Sequence, residues 1–120
     1  MNISDRMEKI KHYQTLIVRL LNEYAAIKPA NMLEYENQVI TDYEHNHFQS
    51  LTSGWDKKEH FIHLVNFHFD IKPTGKIWLM ANNTDVLIAQ ELVKLGVPKD
   101  DIVLGFQPAY LRPQTDYAVA

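Results

Sequence analysis

The middle of the chain concentrates acidic and basic side chains whose spacing could support metal-dependent chemistry. Asp70-Ile71-Lys72 ends an apolar run, and Asp56 and Glu59 lie upstream of it. An acidic residue, one spacer and a lysine on a strand, after an earlier carboxylate, is a pattern of metal-dependent nucleases, in which carboxylates hold the metal that activates water. Such short matches are frequent. Because the lysine runs directly into Pro73, a solvated hairpin end is the alternative interpretation.

Histidines form the second candidate group, since five of the six lie between residues 45 and 68. His45 and His47 are two residues apart, so a strand would place both on one side, as a shared metal requires. His60 and His68 share a predicted face but lie roughly 26 Å apart at about 3.3 Å per residue. His63 is predicted on the opposite face. A metal site would therefore need ligands from another strand, and polar strand and turn residues are the favoured interpretation. We predict no metal and no other cofactor.

Other catalytic motifs are missing from the sequence. The four glycines are scattered, so there is no glycine-rich phosphate loop, and there is no serine nucleophile elbow. The chain has no cysteine, which excludes thiol nucleophiles, disulfides and cysteine-type zinc sites. We therefore expect a protein that is not an enzyme.

Length and charge limit the remaining classes. A chain of 120 residues suits one domain, residues 1–120, with one hydrophobic core. Its 12 basic and 15 acidic side chains give a net charge of −3, which argues against direct DNA contact by this chain alone. The start of the sequence does not resemble a secretory signal, and no apolar run approaches the roughly 18–20 residues of a membrane span. We expect a cytoplasmic protein without membrane contact.

Hydrophobic periodicity predicts the elements that position these groups. Ser4 and Asp5 can cap a helix, and apolar residues three or four positions apart predict that helix over 5–27. Short turns between alternating segments predict a four-stranded antiparallel meander. Its strands cover residues 33–42, 47–55, 59–71 and 76–80.

The last third of the chain predicts an α+β fold. Residues 82–85 can cap a second helix, which Gly96 and Pro98 would end. A short strand at 102–104 follows, and then an apolar C-terminal segment that we expect to be extended across the body or across a second subunit.

The third strand predicts a second apolar sheet face. Phe67, Phe69 and Ile71 alternate toward the core, and Phe61 and Val65 are predicted on the same side. Ile62 and Leu64 make the centre of the opposite side apolar too, whereas a sheet exposed on one face would normally be polar there. We expect a helix, the C-terminal segment or another subunit to cover it.

Several motifs, taken together, resemble one known family. They are Gly54-Trp55-Asp56, the hairpin from Lys72 to Trp78, the segment from Glu91 to Pro108, and Arg112 before the terminal Thr115–Ala120. This combination resembles the XisI family, the fdxN element excision controlling factors of cyanobacteria. The resemblance covers nearly the whole chain, and the segment from Gly96 to Pro108 is its most specific part.

The resemblance implies a regulatory role in programmed DNA excision. A separate recombinase exchanges the strands, and XisI-type proteins act with a second small factor of the XisH type. The resemblance supplies no catalytic residues. A metal-dependent nuclease and a direct DNA-binding accessory factor are the alternatives.

An apolar, proline-bearing C-terminal segment is typical of an interaction module. We expect Phe106 to anchor in a partner's pocket, although the segment could instead close the core of its own domain. The second sheet face or this segment could also join two copies of the chain. The hypothetical partner interface consists of Gly105, Phe106, Gln107, Pro108, Arg112, Ile62 and Leu64.

Overall fold

The structure is a computed structural model that describes residues 2–27 and 34–120. The two α-helices are α1 (Ile3–Ala25) and α2 (Ile88–Lys94). The five strands are β1 (Glu34–Asp42), β2 (His47–Trp55), β3 (Phe61–Ile71), β4 (Ile77–Asn82) and β5 (Ile102–Leu104). Short 3₁₀ turns cover Lys99–Asp101 and Arg112–Gln114. Residue 33, the first of the predicted strand 33–42, lies outside the described residues.

The strands form one sheet in the order β1-β2-β3-β4-β5. The first four pair antiparallel, which confirms the predicted meander. The predicted short strand becomes a fifth member that pairs parallel to β4. A parallel neighbour requires a long crossover, and the segment containing α2 provides it. The α+β class is confirmed, with one more strand in the sheet than expected.

The first helix begins earlier than predicted because a different residue caps it. The side chain of Asn2 accepts a hydrogen bond of 2.8 Å from the backbone N–H of Asp5. Ser4 and Asp5 therefore lie inside the first turn, where the negative charge of Asp5 interacts favourably with the positive end of the helix dipole. The helix ends at Ala25, two residues before the predicted end.

The segment predicted to cap the second helix forms a turn of its own. The Asn82 side-chain oxygen accepts hydrogen bonds from the backbone and side chain of Thr84, and its amide donates to the Val86 carbonyl. Asparagine side chains often close such local turns instead of capping a helix. As a result α2 begins only at Ile88, after Leu87, which makes no side-chain cap.

Both helices pack on one face of the sheet, which we call the inner face. The helix residues Tyr13, Leu16, Ile17, Leu20, Leu21, Ile88 and Leu92 are buried against it. The sheet contributes Phe48, Phe67, Phe69, Ile71, Ile77, Leu79 and Ile102. All of these side chains belong to one cluster, so the described residues share a single hydrophobic core.

A β-bulge reverses the predicted faces of residues 61–65 of the third strand, while Phe67, Phe69 and Ile71 face the core as predicted. Ser50 pairs with Phe67, but the next residue of β2, Leu51, pairs with Val65, so Asn66 is the extra residue. Directly paired residues share a face, and the inner face holds Phe67. Val65 therefore lies on the opposite side, which we call the outer face.

Because of the bulge, each face of the sheet carries different residues from those predicted. Phe61 pairs with Trp55 on the outer face, whereas Ile62 and Leu64 pair with Gly54 and Thr52 on the inner face. Ile62 and Leu64 therefore do not form the centre of a second apolar face. His63 and His68 share the outer face, where strict alternation placed them on opposite sides.

Contrary to the prediction of an extended segment, the C-terminal segment folds back through turns, including the 3₁₀ turn Arg112–Gln114. Its end returns to the sheet, where Ala118 bridges Val103 and donates a backbone hydrogen bond of 2.8 Å to the Ile102 carbonyl. The segment therefore packs against its own domain. It covers the outer face at Trp78 of β4 and borders Val103 of β5.

Candidate functional site

Trp78 lies on the outer face at β4, and two cationic side chains pack over its ring. The Arg112 guanidinium lies 4.9 Å from the centre of the indole ring, and the Lys72 ammonium lies 5.6 Å from it. Arg112 Nε also donates a hydrogen bond of 3.0 Å to the Gln107 carbonyl, and Nη1 donates one of 3.4 Å to Val119. One cationic side chain thus fastens both ends of the C-terminal segment over an aromatic ring.

The residues of the hypothetical interface occupy two separate places. Ile62 and Leu64 lie on the inner face, while Arg112 covers Trp78 on the outer face. Gly105 is partly buried. It lies so close to β4 that an added Cβ would be 2.8 Å from Met80 Sδ and 3.0 Å from the Trp78 ring. The structure therefore does not join the seven residues into one surface.

Phe106 to Pro108 is the most accessible part of that set. The Phe106 side chain is 47% exposed, Pro108 is exposed and Gln107 is half-buried. Gly105 and Arg112 on either side are fixed by the domain, so Phe106 is displayed on a braced turn. This arrangement is what an anchor residue for a partner requires.

A second exposed patch lies on the outer face at the far end of the β2–β3 hairpin. Trp55 and Phe61 are 51% and 56% exposed, and their rings are 5.1 Å apart. His63 stacks on Phe61 at 6.3 Å between ring centres. Strict alternation along the third strand predicts Phe61 toward the core, so this patch is not among the predicted site residues.

The residues of the nuclease pattern are not brought together. Asp70 lies near the end of β3, and Lys72 Nζ is 3.5 Å from one of its carboxylate oxygens. Asp56 and Glu59 belong to the loop before β3, roughly 30 Å away at about 3.3 Å per residue. Asp56 instead accepts hydrogen bonds from the backbone of Lys58 and from His60 within that loop.

Asp70 is the centre of a different group, which we call the histidine cluster (His47, His68 and Asp70). His47 Nδ1 and His68 Nε2 lie 2.6 Å and 2.8 Å from the same Asp70 oxygen, Oδ1. All three ligand atoms lie within 4.8 Å of one another. The alternative that the sequence left open, a metal pair of His45 and His47, is not part of this group: His45 Nδ1 lies 2.9 Å from Asp42 Oδ2 in the adjacent turn.

The histidine cluster combines a buried carboxylate with accessible imidazoles. Asp70 is 7% exposed, whereas the side chains of His47 and His68 are 54% and 34% exposed. Burial by itself would raise the pKa of Asp70. The hydrogen bond from His47 and the positive charges of the two imidazoles and Lys72 outweigh burial, so the pKa of Asp70 lies below its ordinary value.

A cavity of about 360 Å³ opens on the inner side of the sheet, beside the end of α1. Its polar part is a chain of hydrogen bonds from Asn66 to Thr52 and from Thr52 to Asn37. Its lining residues carry no formal charge, so they offer polar, aromatic and aliphatic contacts. They are Tyr24, Ala25, Ile27, Tyr35, Asn37, Ser50, Thr52, Asn66, Phe67, Thr84 and Val86.

The fold defines a small α+β protein with helices on the inner face of a mixed sheet and a partly covered outer face. A family model described as XisI protein matches residues 7–119, so the chain belongs to the XisI protein family. The resemblance found in the motifs is thereby confirmed. None of the helices in 2–27 and 34–120 has the length and apolar character needed to span a membrane.

Two solved structures from Anabaena variabilis ATCC 29413 share this fold. A XisI-like protein is 46% identical, with a TM-score of 0.82, over 92% of this chain and 99% of that chain. The fdxN element excision controlling factor XisI is 28% identical, with a TM-score of 0.77, over 93% and 99% of the two chains. No curated protein gives a significant match.

Proposed function

We propose that this protein controls the excision of a DNA element and acts through a protein partner of the XisH type, without catalysing a reaction itself. The observation that carries this proposal is family membership over residues 7–119. It is supported by the shared fold of the fdxN element excision controlling factor XisI, at 28% identity.

The accessible surface supports a role in binding. Phe106 and the Trp55–Phe61 patch present large exposed rings on braced backbone. Exposed apolar groups of this size, rimmed by polar residues, are typical of protein–protein contacts. We assign the partner contact to Phe106–Pro108, since the domain itself fixes Gly105 and Arg112 on either side.

Co-expression with a XisH-type protein tests the partnership. We expect one complex of defined mass by size-exclusion chromatography with light scattering. If both proteins instead elute separately at micromolar concentration, the partnership is wrong for this chain.

Matched variants locate the contact. Phe106→Ser should weaken the complex at least about tenfold, since anchor residues carry most of the binding energy. Leu87→Ser is the control, because Leu87 is also exposed, at 65%, and lies at the start of α2. If Phe61→Ser disrupts the complex and Phe106→Ser does not, the contact belongs to the outer-face patch.

A cleavage assay tests the non-enzymatic part of the proposal. We expect DNA incubated with the protein and Mg²⁺ or Mn²⁺ to remain intact. Cleavage by the wild-type chain that Asp70→Ala abolishes would overturn this part and support a nuclease.

A further inference from the structure

We propose that the histidine cluster on the outer face is a site for a divalent metal ion of the Zn²⁺ type. Its ligand atoms are His47 Nδ1, His68 Nε2 and Asp70 Oδ1, which lie within 4.8 Å of one another. The site goes beyond the proposed excision role and does not depend on it.

The cluster geometry is close to that of a bound metal. Zn²⁺ holds imidazole nitrogens and carboxylate oxygens at about 2.0–2.2 Å, so neighbouring ligands in a tetrahedral site are about 3.3 Å apart. The two observed nitrogen–oxygen separations are 2.6 Å and 2.8 Å. The two imidazole nitrogens lie within 4.8 Å of each other, so shifts of less than about 1 Å per ligand would admit the ion.

The backbone already fixes the directions of the ligands. His47 pairs directly with Asp70 across β2 and β3, and His68 lies two residues before Asp70 on the same strand. All three therefore project from the outer face. A site built on paired strands loses little conformational freedom when the ion binds.

The protonation chemistry is compatible with metal binding. In the metal-free protein each imidazole donates an N–H to the ionised Asp70 carboxylate. Binding of the ion would require each imidazole to release the proton on its ligand nitrogen, to its other nitrogen or to solvent, so that the freed lone pair can bind the metal. The partly exposed imidazoles leave the remaining coordination positions open to water.

The donor set selects the class of ion. Two imidazoles and one carboxylate suit zinc, nickel, copper and ferrous iron, whereas Mg²⁺ and Ca²⁺ prefer oxygen ligands. Lys72 lies 3.5 Å from Asp70 Oδ2, the oxygen that the site leaves free. Its charge lowers the affinity for any cation, so Lys72→Met should bind Zn²⁺ more tightly than the wild type.

Calorimetric titration of tag-free, metal-stripped protein with ZnCl₂ tests the proposal. We expect one ion per chain, and visible absorption after Co²⁺ substitution should report a four- or five-coordinate site. His47→Ala and His68→Ala should each weaken binding at least about tenfold. His60→Ala is the matched control, because His60 makes a comparable contact of 3.2 Å with Asp56 at the far end of β3.

Several outcomes would overturn the assignment. They are no saturable binding by the wild type, equal losses in the His60→Ala control, or tighter binding of Mg²⁺ than of Zn²⁺. Circular dichroism of each variant must match the wild type. If His47→Ala fails to fold, His47→Gln replaces it, and unchanged affinity in that folded variant likewise contradicts the site.

Discussion

At the scale of single residues, Tyr13 joins the first helix to the turn before β5. Its hydroxyl donates a hydrogen bond to Asp101. The Asp101 carboxylate also forms a salt bridge with Lys9, whose Nζ lies 2.9 Å from Oδ2. Burial, and then the hydrogen bond and charge of Asp101, raise the pKa of Tyr13 well above its ordinary value. The folded protein therefore holds the protonated phenol more tightly than the unfolded chain does.

Tyr13→Phe should lower the free energy of unfolding by about 1–2 kcal/mol at pH 7, because it removes a partly buried hydrogen bond to a charged group. A raised pKa in the folded state gives stability that is complete below the unfolded value of about 10 and is lost as the pH rises above it. Urea unfolding from pH 7 to 10.5 should thus show a smaller difference between wild type and variant at pH 10.5. A difference that grows with pH would contradict this account.

Gly105 is a point of close approach between the C-terminal segment and the sheet. A Cβ there would lie 2.8 Å from Met80 Sδ and 3.0 Å from Trp78 Cε3. Gly105→Ala should therefore cost about 1–3 kcal/mol through overpacking, as measured by urea unfolding. Adding Met80→Ala should recover part of the loss, since it removes the nearest atom. Equal stability of Gly105→Ala and the wild type would show that the segment sits farther from the sheet.

At the scale of elements, the bulge at Asn66 determines which side chains meet. Extending the pairing of Trp55 with Phe61 without a bulge would place His47 opposite Phe69, but with the bulge it meets Asp70. The same extra residue places Phe61 and Val65 on the outer face. Asn66 also accepts a backbone hydrogen bond from Asn83 and donates to Thr52.

Deletion of Asn66 should leave both faces intact. Val65 would then precede Phe67 directly, which is the regular alternation of an outer and an inner residue. We expect cooperative unfolding with a loss of about 1–3 kcal/mol for the missing hydrogen bonds.

Deletion of Leu64 is the matched comparison. It reverses the faces of residues 61–63 relative to β2, so it should be the more damaging of the two. If the two deletions lower the urea midpoint equally, the bulge does not set the faces as described.

At the scale of the whole molecule, the C-terminal segment is part of the domain and not an appendage. Val103 lies on the outer face and is 0% exposed, because residues 105–120 cover it. Lys76 Nζ also donates a hydrogen bond of 2.6 Å to the Ala120 oxygen. The segment thus covers part of the outer face of the sheet, as the helices cover the inner face.

Truncation after Leu104 should expose Val103 and Trp78 and lower the unfolding free energy by several kcal/mol, since each buried apolar side chain contributes about 1.5–3 kcal/mol. Binding of a hydrophobic dye should rise at the same time. Removing only Val119 and Ala120 is the control and should cost about 1 kcal/mol, through the contacts of Arg112 and Lys76. Similar stability of the long truncation and the full chain would contradict the covering role.

Local patterns were sufficient for most of the architecture. The apolar periodicity that gives the helix through Tyr13, Leu16 and Leu20 depends on neighbours a few residues away. Short turns between consecutive strands fixed the antiparallel order in the same way. The motifs from Gly96 to Pro108 supported the family assignment, which the family model confirms over residues 7–119.

The candidate sites were predicted less well, because they depend on pairing between distant residues. The sequence selected Phe106 and Arg112 but could not show that Arg112 lies 4.9 Å above Trp78 and fastens its own domain. From the sequence, Asp70 fits either a nuclease pattern or a solvated hairpin end, and His47 is grouped with His45 only as a possible metal pair. No local signal links His47 to Asp70, which are 23 positions apart.

The sequence alone determined the helix, the meander, the single core and the family, since each follows from local spacing and residue type. Tertiary structure decided the bulge, the parallel fifth strand and the meeting of His47, His68 and Asp70. One extra residue exchanges the two faces of a strand, and that choice is made by packing on both sides of the sheet. The residue types show which functional groups the chain contains, but strand register and packing determine which of those groups lie close enough to act together.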